Sequence, residues 1–568
     1  MEYDASSNLS STLALERMEQ ERISLIQEVH AKRNKVRHLE QQLANRSFNA
    51  NDHSEGRSSP TPVRLWLFSG IINGVLKLLF CIVFAVLIYD AAPHLLKDTF
   101  LVLCGTHLSS SVVTCLVTAL YSSASSSISG PDIVHALFLS AMMGTVAKKT
   151  SDPEAALATI LFLICFTSLC ISLTWLVVAK YRLTVVIDFF PVAVVTGFLG
   201  CVGYKVIKSS VKIAVGKAWY YFLTPNSGEF WVLLLPALPL GICMYLLKRF
   251  HIGSPLVILP YFILVPVVVF YLCVGASQQT MENVRGAGWM FDEFQTNMFW
   301  EQWSRLHFHK IQWDAVLETL PDTLVLVIIV TLDALMYLKK NKREMNMNVQ
   351  MDLVHELNIL GFQNLLSVLC VGPVGYPLYE MTVLINYSIT NNAHEKRPTL
   401  IVAAICGVSW LCSIAIIVNV LPRFFLSGLL IYAGLPFLEL IVAAYWRLTK
   451  KEFATVLAIV FTNFFFELFK STKTHALVIA MLLGFLLSSL VFVLQYAKTS
   501  VIRDSLSGKT TRVPSFDPTR NNCWWNGWVR GTQSSNWKVT YFLGRAINLC
   551  IGPRKKYVKT MSNQTRKN

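Results

Sequence analysis

The chain has 568 residues, of which 54% are hydrophobic and only 15% are charged, and its mean hydropathy is +0.48. This composition excludes an ordinary soluble protein of such length and predicts an all-α polytopic membrane protein. The net charge of +16 does not favour nucleic acid as a partner, because the basic residues concentrate in the tails and in short loops beside apolar runs, where they suit anionic lipid headgroups.

Residues 1–64 are polar and contain a heptad pattern. From about residue 12 to residue 45, apolar side chains recur three and four positions apart, beginning with Leu15 and Met18. This spacing predicts a short coiled coil, and through it a homodimer or another assembly. A single amphipathic helix lying on the protein or on the membrane is the alternative. The segment lacks the apolar core of a secretory signal peptide, so we expect a cytoplasmic amino terminus.

Residues 65–497 form the predicted membrane domain, with about fourteen apolar spans. The spans are 66–91, 98–121, 131–147, 156–179, 186–207, 230–247, 255–275, 319–338, 354–371, 376–388, 398–420, 424–445, 452–469 and 475–497. The third and tenth are unusually short, and each follows or begins within a Gly/Pro-rich segment, SSSISGP or VGPVGYP. Short, interrupted spans at matching places in two halves predict a 7+7 inverted repeat with a central binding site.

The basic loops give only partial support to an orientation. KKNKR (339–343) and RLTKK (447–451) fall on the cytoplasmic side if both termini are cytoplasmic, as the positive-inside rule requires. Lys205, Lys208 and Lys212 then fall on the opposite side, so the orientation depends on the basic tails. Residues 498–568 form a basic, Trp-containing tail, which we expect to be cytoplasmic.

Several stretches, in chain order, resemble the SulP family of sulfate permeases. They are GIINGVLKLLFCIVFA, SSSISGPDIV, DFFPVAVVTGFLGCVGYKVIK, LPDTLVLVIIVTLDALMYL, HELNILGFQNLLSVLCVGPVGYPLYEMTVLINYS and YAKTSVIRDSLSGKTTR. The resemblance covers about residues 66 to 512 and is closest to a microbial-eukaryote branch that includes a basic amino acid transporter. It implies a mobile core of helices 1–4 and 8–11, a gate of helices 5–7 and 12–14, and elevator-type movement of a small solute. The tail does not resemble the family's STAS domain, so we expect this domain to be absent.

Two charged residues lie deep within predicted spans. Asp333 lies in the eighth span, where an unpaired charge costs several kcal/mol. It aligns with a carboxylate that couples transport to protons or sodium in many family members, so we predict an ion-coupling role; a structural hydrogen bond is the alternative. Lys77 lies about eleven residues into the first span, and it is predicted to neutralise Asp333 or a substrate anion, or to form a structural salt bridge.

The resemblance and the helix-start chemistry together predict the substrate site. Ser129, Gly130 and Pro131 are expected to start the third helix, because Ser caps helices, Pro suits the first turn and Gly allows close approach of a ligand. Asp132, in the same turn, is expected to favour the helix dipole, and its carboxylate would compete with an anionic substrate. Phe84 matches an aromatic residue that lines the family's site. The predicted substrate-binding residues are Phe80, Phe84, Ser129, Gly130, Pro131, Tyr376, Tyr379, Glu380 and Thr382.

Glu380 leaves the substrate charge open, because many anion-carrying relatives have a non-acidic residue at this position. A carboxylate there opposes anion binding at short range. The leading hypothesis is a secondary transporter of an inorganic anion such as sulfate, bicarbonate or chloride. The alternatives are a transporter of basic amino acids, whose charge Asp132, Asp333 and Glu380 could complement, and a non-transporting membrane scaffold. The chain has no nucleotide loop, nucleophile elbow or metal-ligand spacing, so no enzyme activity, cofactor or metal is expected.

Overall fold

The computed structural model describes residues 62–183, 191–216, 227–250, 255–347, 351–468 and 479–490. The predicted coiled coil at 12–45 and the tail at 498–568 lie outside the described residues. The described part is predominantly helical, and it contains one two-stranded ribbon. The predicted all-α membrane architecture is confirmed, with the ribbon as an addition.

A helix overlaps each predicted span. The helices are α1 Val63–Tyr89, α2 Phe100–Tyr121, α3 Ile133–Lys149, α4 Pro153–Lys180, α5 Val192–Val215, α6 Ser227–Leu234 with Ala237–Arg249, α7 Pro255–Ala276, α8 Leu320–Glu344, α9 Leu353–Leu369, α10 Glu380–Tyr387 with Ser388–Thr390, α11 Arg397–Leu411, α12 Arg423–Arg447, α13 Lys450–Leu468 and α14 Ile479–Leu490. Short helical segments are Pro93–Leu96, Lys97–Thr99, Met281–Gly286, Glu301–Ser304, Phe308–Lys310, Trp313–Glu318 and Ala415–Val418.

Length and composition suit these helices to a bilayer. Seven of the described helices are long and apolar enough to cross a membrane. The 27 residues of α1 reach about 40 Å, which exceeds the roughly 30 Å of a hydrocarbon core. Pro236, which lacks an amide hydrogen, separates the two segments of α6.

The helices pack into two groups. In the first, α9 packs on α4 and α2, α11 packs on α2, and α3 and α8 pack on α4. In the second, α12 packs on α5 and α6, and α13 packs on α5. The predicted core is α1–α4 and α8–α11, and the predicted gate is α5–α7 and α12–α14. The six helices of the first group all belong to this core, and the four helices of the second group all belong to this gate. Two intramembrane acids of the gate are paired: Glu467 with Lys208 at 2.6 Å, and Glu439 with Arg249 at 2.7 Å.

The two polar segments form an antiparallel ribbon instead of helix starts. Strand β1 (Ser129–Pro131) pairs with strand β2 (Gly375–Pro377), with Gly130 opposite Tyr376. The prediction that Ser129, Gly130 and Pro131 start the third helix is wrong. Proline disfavours the helical conformation of the residue before it, and the pairing with β2 satisfies backbone groups that a helix start would leave free. The N-cap of α3 is Asp132, whose carboxylate accepts a hydrogen bond from Val134 N at 2.9 Å.

Candidate functional site

The ribbon requires glycine where the two strands meet. Gly130 has φ +153°, and a Cβ atom there would lie 2.2 Å from Cε and Nζ of Lys77. A Cβ atom on Gly375 would lie 2.8 Å from the carbonyl carbon and Cα of Gly130. A larger residue at Gly375 would push the two strands apart, and a larger residue at Gly130 would displace the side chain of Lys77. Gly375 therefore permits the close approach of the segments that lead into α3 and α10.

Buried amides hold the ribbon from α9. Asn364 Oδ1 accepts from Gly375 N at 2.7 Å, and Asn364 Nδ2 donates to Gly375 O at 2.8 Å. Gln363 Nε2 donates to the same carbonyl at 3.0 Å, and Gln363 Oε1 accepts from Thr118 Oγ1 at 3.0 Å. The hydrocarbon core of a membrane offers no hydrogen-bond partner to backbone groups outside a helix. The Gln363 and Asn364 side chains supply these hydrogen bonds in place of water. The adjacent Gln and Asn within the apolar run LGFQNLLSVL were the available sequence signal, and our sequence reasoning missed it.

Two hydroxyl residues complete the scaffold of the ribbon. Thr382 Oγ1 accepts from Ile128 N at 3.0 Å, and it joins the lead-in of β1 to α10. Ser129 Oγ lies 2.7 Å from Thr118 Oγ1, so it is tied to α2 and not to the start of a helix. Both predicted site residues are fully buried and support the ribbon from behind.

Lys77 is fully buried beneath the ribbon. Its ammonium donates a hydrogen bond to Pro131 O at 3.2 Å. The structure does not show the predicted ion pair between Lys77 and Asp333. The Lys77 ammonium group instead contacts the backbone that leads into α3. The close packing of its Cε and Nζ atoms against Gly130 explains why no side chain fits at that position.

A cavity of about 220 Å³ lies between core and gate. From the core it is lined by four predicted residues, Phe80, Phe84, Asp333 and Glu380, and also by Asp132. Phe80 and Phe84 stack with ring centroids 5.8 Å apart. The gate contributes mainly apolar side chains from α5 and α12, with Thr196 of α5, Lys248 of α6 and Tyr432 of α12 as polar exceptions. The gate residues are Val192, Val195, Thr196, Leu199, Lys248, Tyr432, Ala433, Pro436, Phe437 and Leu440.

One part of the cavity is acidic and withdrawn from solvent. Asp333 and Asp132 are 5% and 7% exposed, respectively. Tyr376 OH donates a 2.6 Å hydrogen bond to Asp333 Oδ2, and the Tyr376 ring packs edge-on against Trp175 at 6.2 Å. Tyr376 is itself fully buried, so it orients the Asp333 carboxylate from behind instead of facing the cavity. We call Asp132 and Asp333 the acidic floor.

The other part of the cavity carries positive charge. The ammonium of Lys248 lies 3.5 Å from Glu380 Oε1 and 5.2 Å from the centroid of the Tyr432 ring. The ammonium of Lys340 lies 3.2 Å from the centroid of the Tyr379 ring. Tyr379, a predicted site residue, therefore contacts a cation that lines the cavity. We call Lys248 and Lys340 the basic mouth.

Comparison with known proteins identifies the family. The sequence model of the sulfate permease family matches residues 64–459. The chain belongs to the sulfate permease family. The vacuolar basic amino acid transporter of Saccharomyces cerevisiae is 24% identical over 376 residues, which cover 64% of this chain and 34% of that protein. The match therefore spans about a third of that relative's length.

Solved structures share the fold of this sulfate permease family member. The transmembrane domain of a cyanobacterial bicarbonate transporter has a TM-score of 0.53 at 15% identity, covering 74% of this chain and 97% of that one. The murine solute carrier 26 family member A9, an anion transporter in its inward-facing state, has a TM-score of 0.55 at 15% identity, covering 77% and 70%. The protein is thus an integral multi-pass membrane protein with the fold of transporters.

A second charged contact joins core and gate of this sulfate permease family member far from the cavity. Lys212 of α5 lies 2.9 Å from the carboxylate of Asp90, which follows α1, and it donates to the Asp90 carbonyl oxygen at 2.5 Å. Val192 at the start of α5 lines the cavity, and twenty residues of helix separate it from Lys212, about 30 Å. The ion pairs of Lys248 and Lys212 therefore connect the two helix groups at widely separated levels.

Proposed function

We propose that this protein is a secondary membrane transporter of a small, positively charged solute, with basic amino acids as the substrate class. In this proposal the solute binds in the cavity between core and gate, and elevator-type movement of the core carries it across the membrane. The observation that carries the proposal is the position of Asp132, which caps α3 and also lines the cavity.

A free helix N-terminus is a natural anion site, because its amide groups and the helix dipole both favour negative charge. In this protein the Asp132 carboxylate already accepts a hydrogen bond from Val134 N there. An anion arriving at the same place would meet repulsion of about 4 kcal/mol at a separation of 4 Å and an effective dielectric constant of 20. A cation at that place would be attracted by the same amount.

The remaining charges of the cavity agree with this preference. Asp132, Asp333 and Glu380 supply three carboxylates, against the two ammonium groups of the basic mouth. The yeast relative, whose name specifies basic amino acids, supports the same substrate class.

An inorganic anion is the second candidate substrate. Its support is the basic mouth, where Lys248 pairs with Glu380 and so reduces the repulsion that this acid exerts. The two solved structures with the same fold are named as a bicarbonate transporter and an anion transporter, which adds to this support.

We further propose that Asp333 couples transport to an ion, with a proton as the first candidate. Its carboxylate lines the cavity and accepts a hydrogen bond from Tyr376 OH. In proteoliposomes at two pH values, Asp333→Asn should abolish the pH dependence of uptake. Unchanged pH dependence in this variant would show that the coupling residue is another one.

We propose cytoplasmic termini, a cytoplasmic segment 1–64, a membrane domain at 65–497 and a cytoplasmic tail at 498–568. Homodimerisation through residues 12–45 and association with anionic headgroups belong to the same proposal. Deletion of residues 12–45 should shift the purified protein to a smaller assembly in light scattering; an unchanged mass would remove the coiled coil from this role.

The decisive experiment measures uptake into proteoliposomes of labelled arginine and lysine, and separately of sulfate, bicarbonate and chloride. We expect saturable arginine uptake that lysine inhibits and sulfate does not. Sulfate uptake that excess arginine leaves untouched, without arginine uptake, would refute the cationic substrate. A purified protein that moves none of these solutes and elutes as a stable complex would favour a scaffold.

A further inference from the structure

We infer that Lys340 binds the carboxylate of the substrate and thereby selects amino acids over amines that lack this group. The inference rests on the proposed transport of basic amino acids and names how the same cavity recognises the second end of such a solute.

The two lysines of the basic mouth differ in their partners. Lys248 lies 3.5 Å from a carboxylate oxygen of Glu380, so part of its charge is already compensated. Among the described residues, no carboxylate lies within ion-pair distance of Lys340, whose ammonium rests on the face of Tyr379. Lys340 is also exposed and lines the cavity. It therefore offers a cation to a ligand without first breaking an ion pair.

The cavity is polarised along one helix. Asp333 and Lys340 both line it and both belong to α8, seven residues apart. Seven residues make two turns, so the side chains share a helix face and are separated by about 10 Å along the axis. The buried carboxylate of Asp333 and the exposed ammonium of Lys340 are thus opposite charges about 10 Å apart. A single small inorganic ion cannot contact both.

A basic amino acid matches this separation and order of charges. Its side-chain cation lies several bonds from its carboxylate, so the cation can contact the acidic floor while the carboxylate contacts Lys340. Glu380, which lines the cavity beside Lys248, offers a carboxylate to the α-ammonium group. A diamine has a cation at each end, so one of its ends would face Lys340 with like charge, which is unfavourable.

The test compares arginine with agmatine, the same molecule without its carboxylate, as competitors of labelled arginine uptake into proteoliposomes. In the wild type, arginine should compete at about tenfold lower concentration than agmatine or better, which corresponds to ~1.4 kcal/mol. In Lys340→Met this advantage should disappear because arginine weakens, while agmatine competes at least as well as before. Lys340→Arg should keep the advantage, since it keeps the charge.

Lys339→Met is the matched control, because it makes the same change at the neighbouring position of α8, which does not line the cavity. Equal competition by arginine and agmatine in the wild type, or an unchanged ratio in Lys340→Met, overturns the inference and leaves cation transport standing. Sulfate uptake without any arginine uptake in the wild type overturns the proposed function, and the inference with it. Each variant must elute from size exclusion like the wild type before its uptake is compared.

Discussion

Replacing Asp132 by Asn changes the charge of the cavity with little change of shape. Asn caps helices about as well as Asp, so the hydrogen bond from Val134 N to residue 132 should persist. Asp132 is 7% exposed and lines the cavity, so an effective dielectric constant of about 20 describes its surroundings. A carboxylate and a cation attract each other there by about 4 kcal/mol at 4 Å and about 2 kcal/mol at 8 Å, for an effective dielectric constant of 20.

These energies convert into a measurable change of affinity. A loss of about 2–4 kcal/mol raises the arginine concentration for half-maximal uptake by roughly 30- to 1000-fold. The assay is initial-rate uptake of labelled arginine into proteoliposomes over a range of concentrations, with sulfate uptake measured on the same preparations. Salt in the assay buffer screens charges that solvent can reach, so the lower end of this range is the expected value.

Asp352→Asn supplies a matched control. Asp352 caps α9 by accepting from Val354 N at 3.1 Å, and the local sequence Asp-Leu-Val closely resembles Asp-Ile-Val at the start of α3. Its side chain is exposed and does not line the cavity, so arginine uptake should stay at the wild-type level. The sign of the Asp132→Asn effect is decisive: unchanged arginine affinity together with tighter sulfate binding would refute the reasoning.

Two further pairs of variants test the support of the ribbon and the ion pair between core and gate. Thr382→Val removes the acceptor of the buried Ile128 N–H and should cost about 1–3 kcal/mol, seen as a lower melting temperature in detergent. Thr390→Val, which removes only a bond to a carbonyl of its own helix, is the control, and equal losses in both would contradict this role for Thr382. Asp90→Asn and Lys212→Gln should each change the maximal uptake rate, with no additional effect in the double variant, because they act through one ion pair. Additive changes would show that the two residues act separately.

Sequence patterns could predict the acidic floor in part. Asp333 stands out as a charge deep in an apolar span, and the structure brings it into the cavity with Phe80, Phe84 and Glu380. Asp132 was interpreted as a favourable charge at a helix start that would also oppose an anionic substrate and could complement a basic amino acid, and its capping position does bring it to the cavity. Residues 132 and 333 come close to each other only in the tertiary fold, so no local sequence pattern predicts their proximity.

The basic mouth could not be predicted from the same patterns. Lys340 belongs to the KKNKR run and Lys248 to LKR, and both runs have the composition of loops at the cytoplasmic side of a membrane. The structure extends α8 to Glu344 and α6 to Arg249, so both lysines lie on helices and line the cavity. The ribbon was missed for another reason: each strand has three residues, too few for an alternating pattern to be visible.

The ribbon also bears on how the protein is made. Ile128 and Thr382, which hydrogen-bond beside the two strands, are 254 positions apart in the chain. At about 5–20 residues per second, a ribosome needs roughly 10–50 s to produce the second partner after the first. During that time β1 has no strand to pair with, and its backbone groups have no partner in hydrocarbon. The third helix can therefore take its final depth in the bilayer only after the tenth has been synthesised, so the transport site cannot form while only the first half of the membrane domain has been inserted.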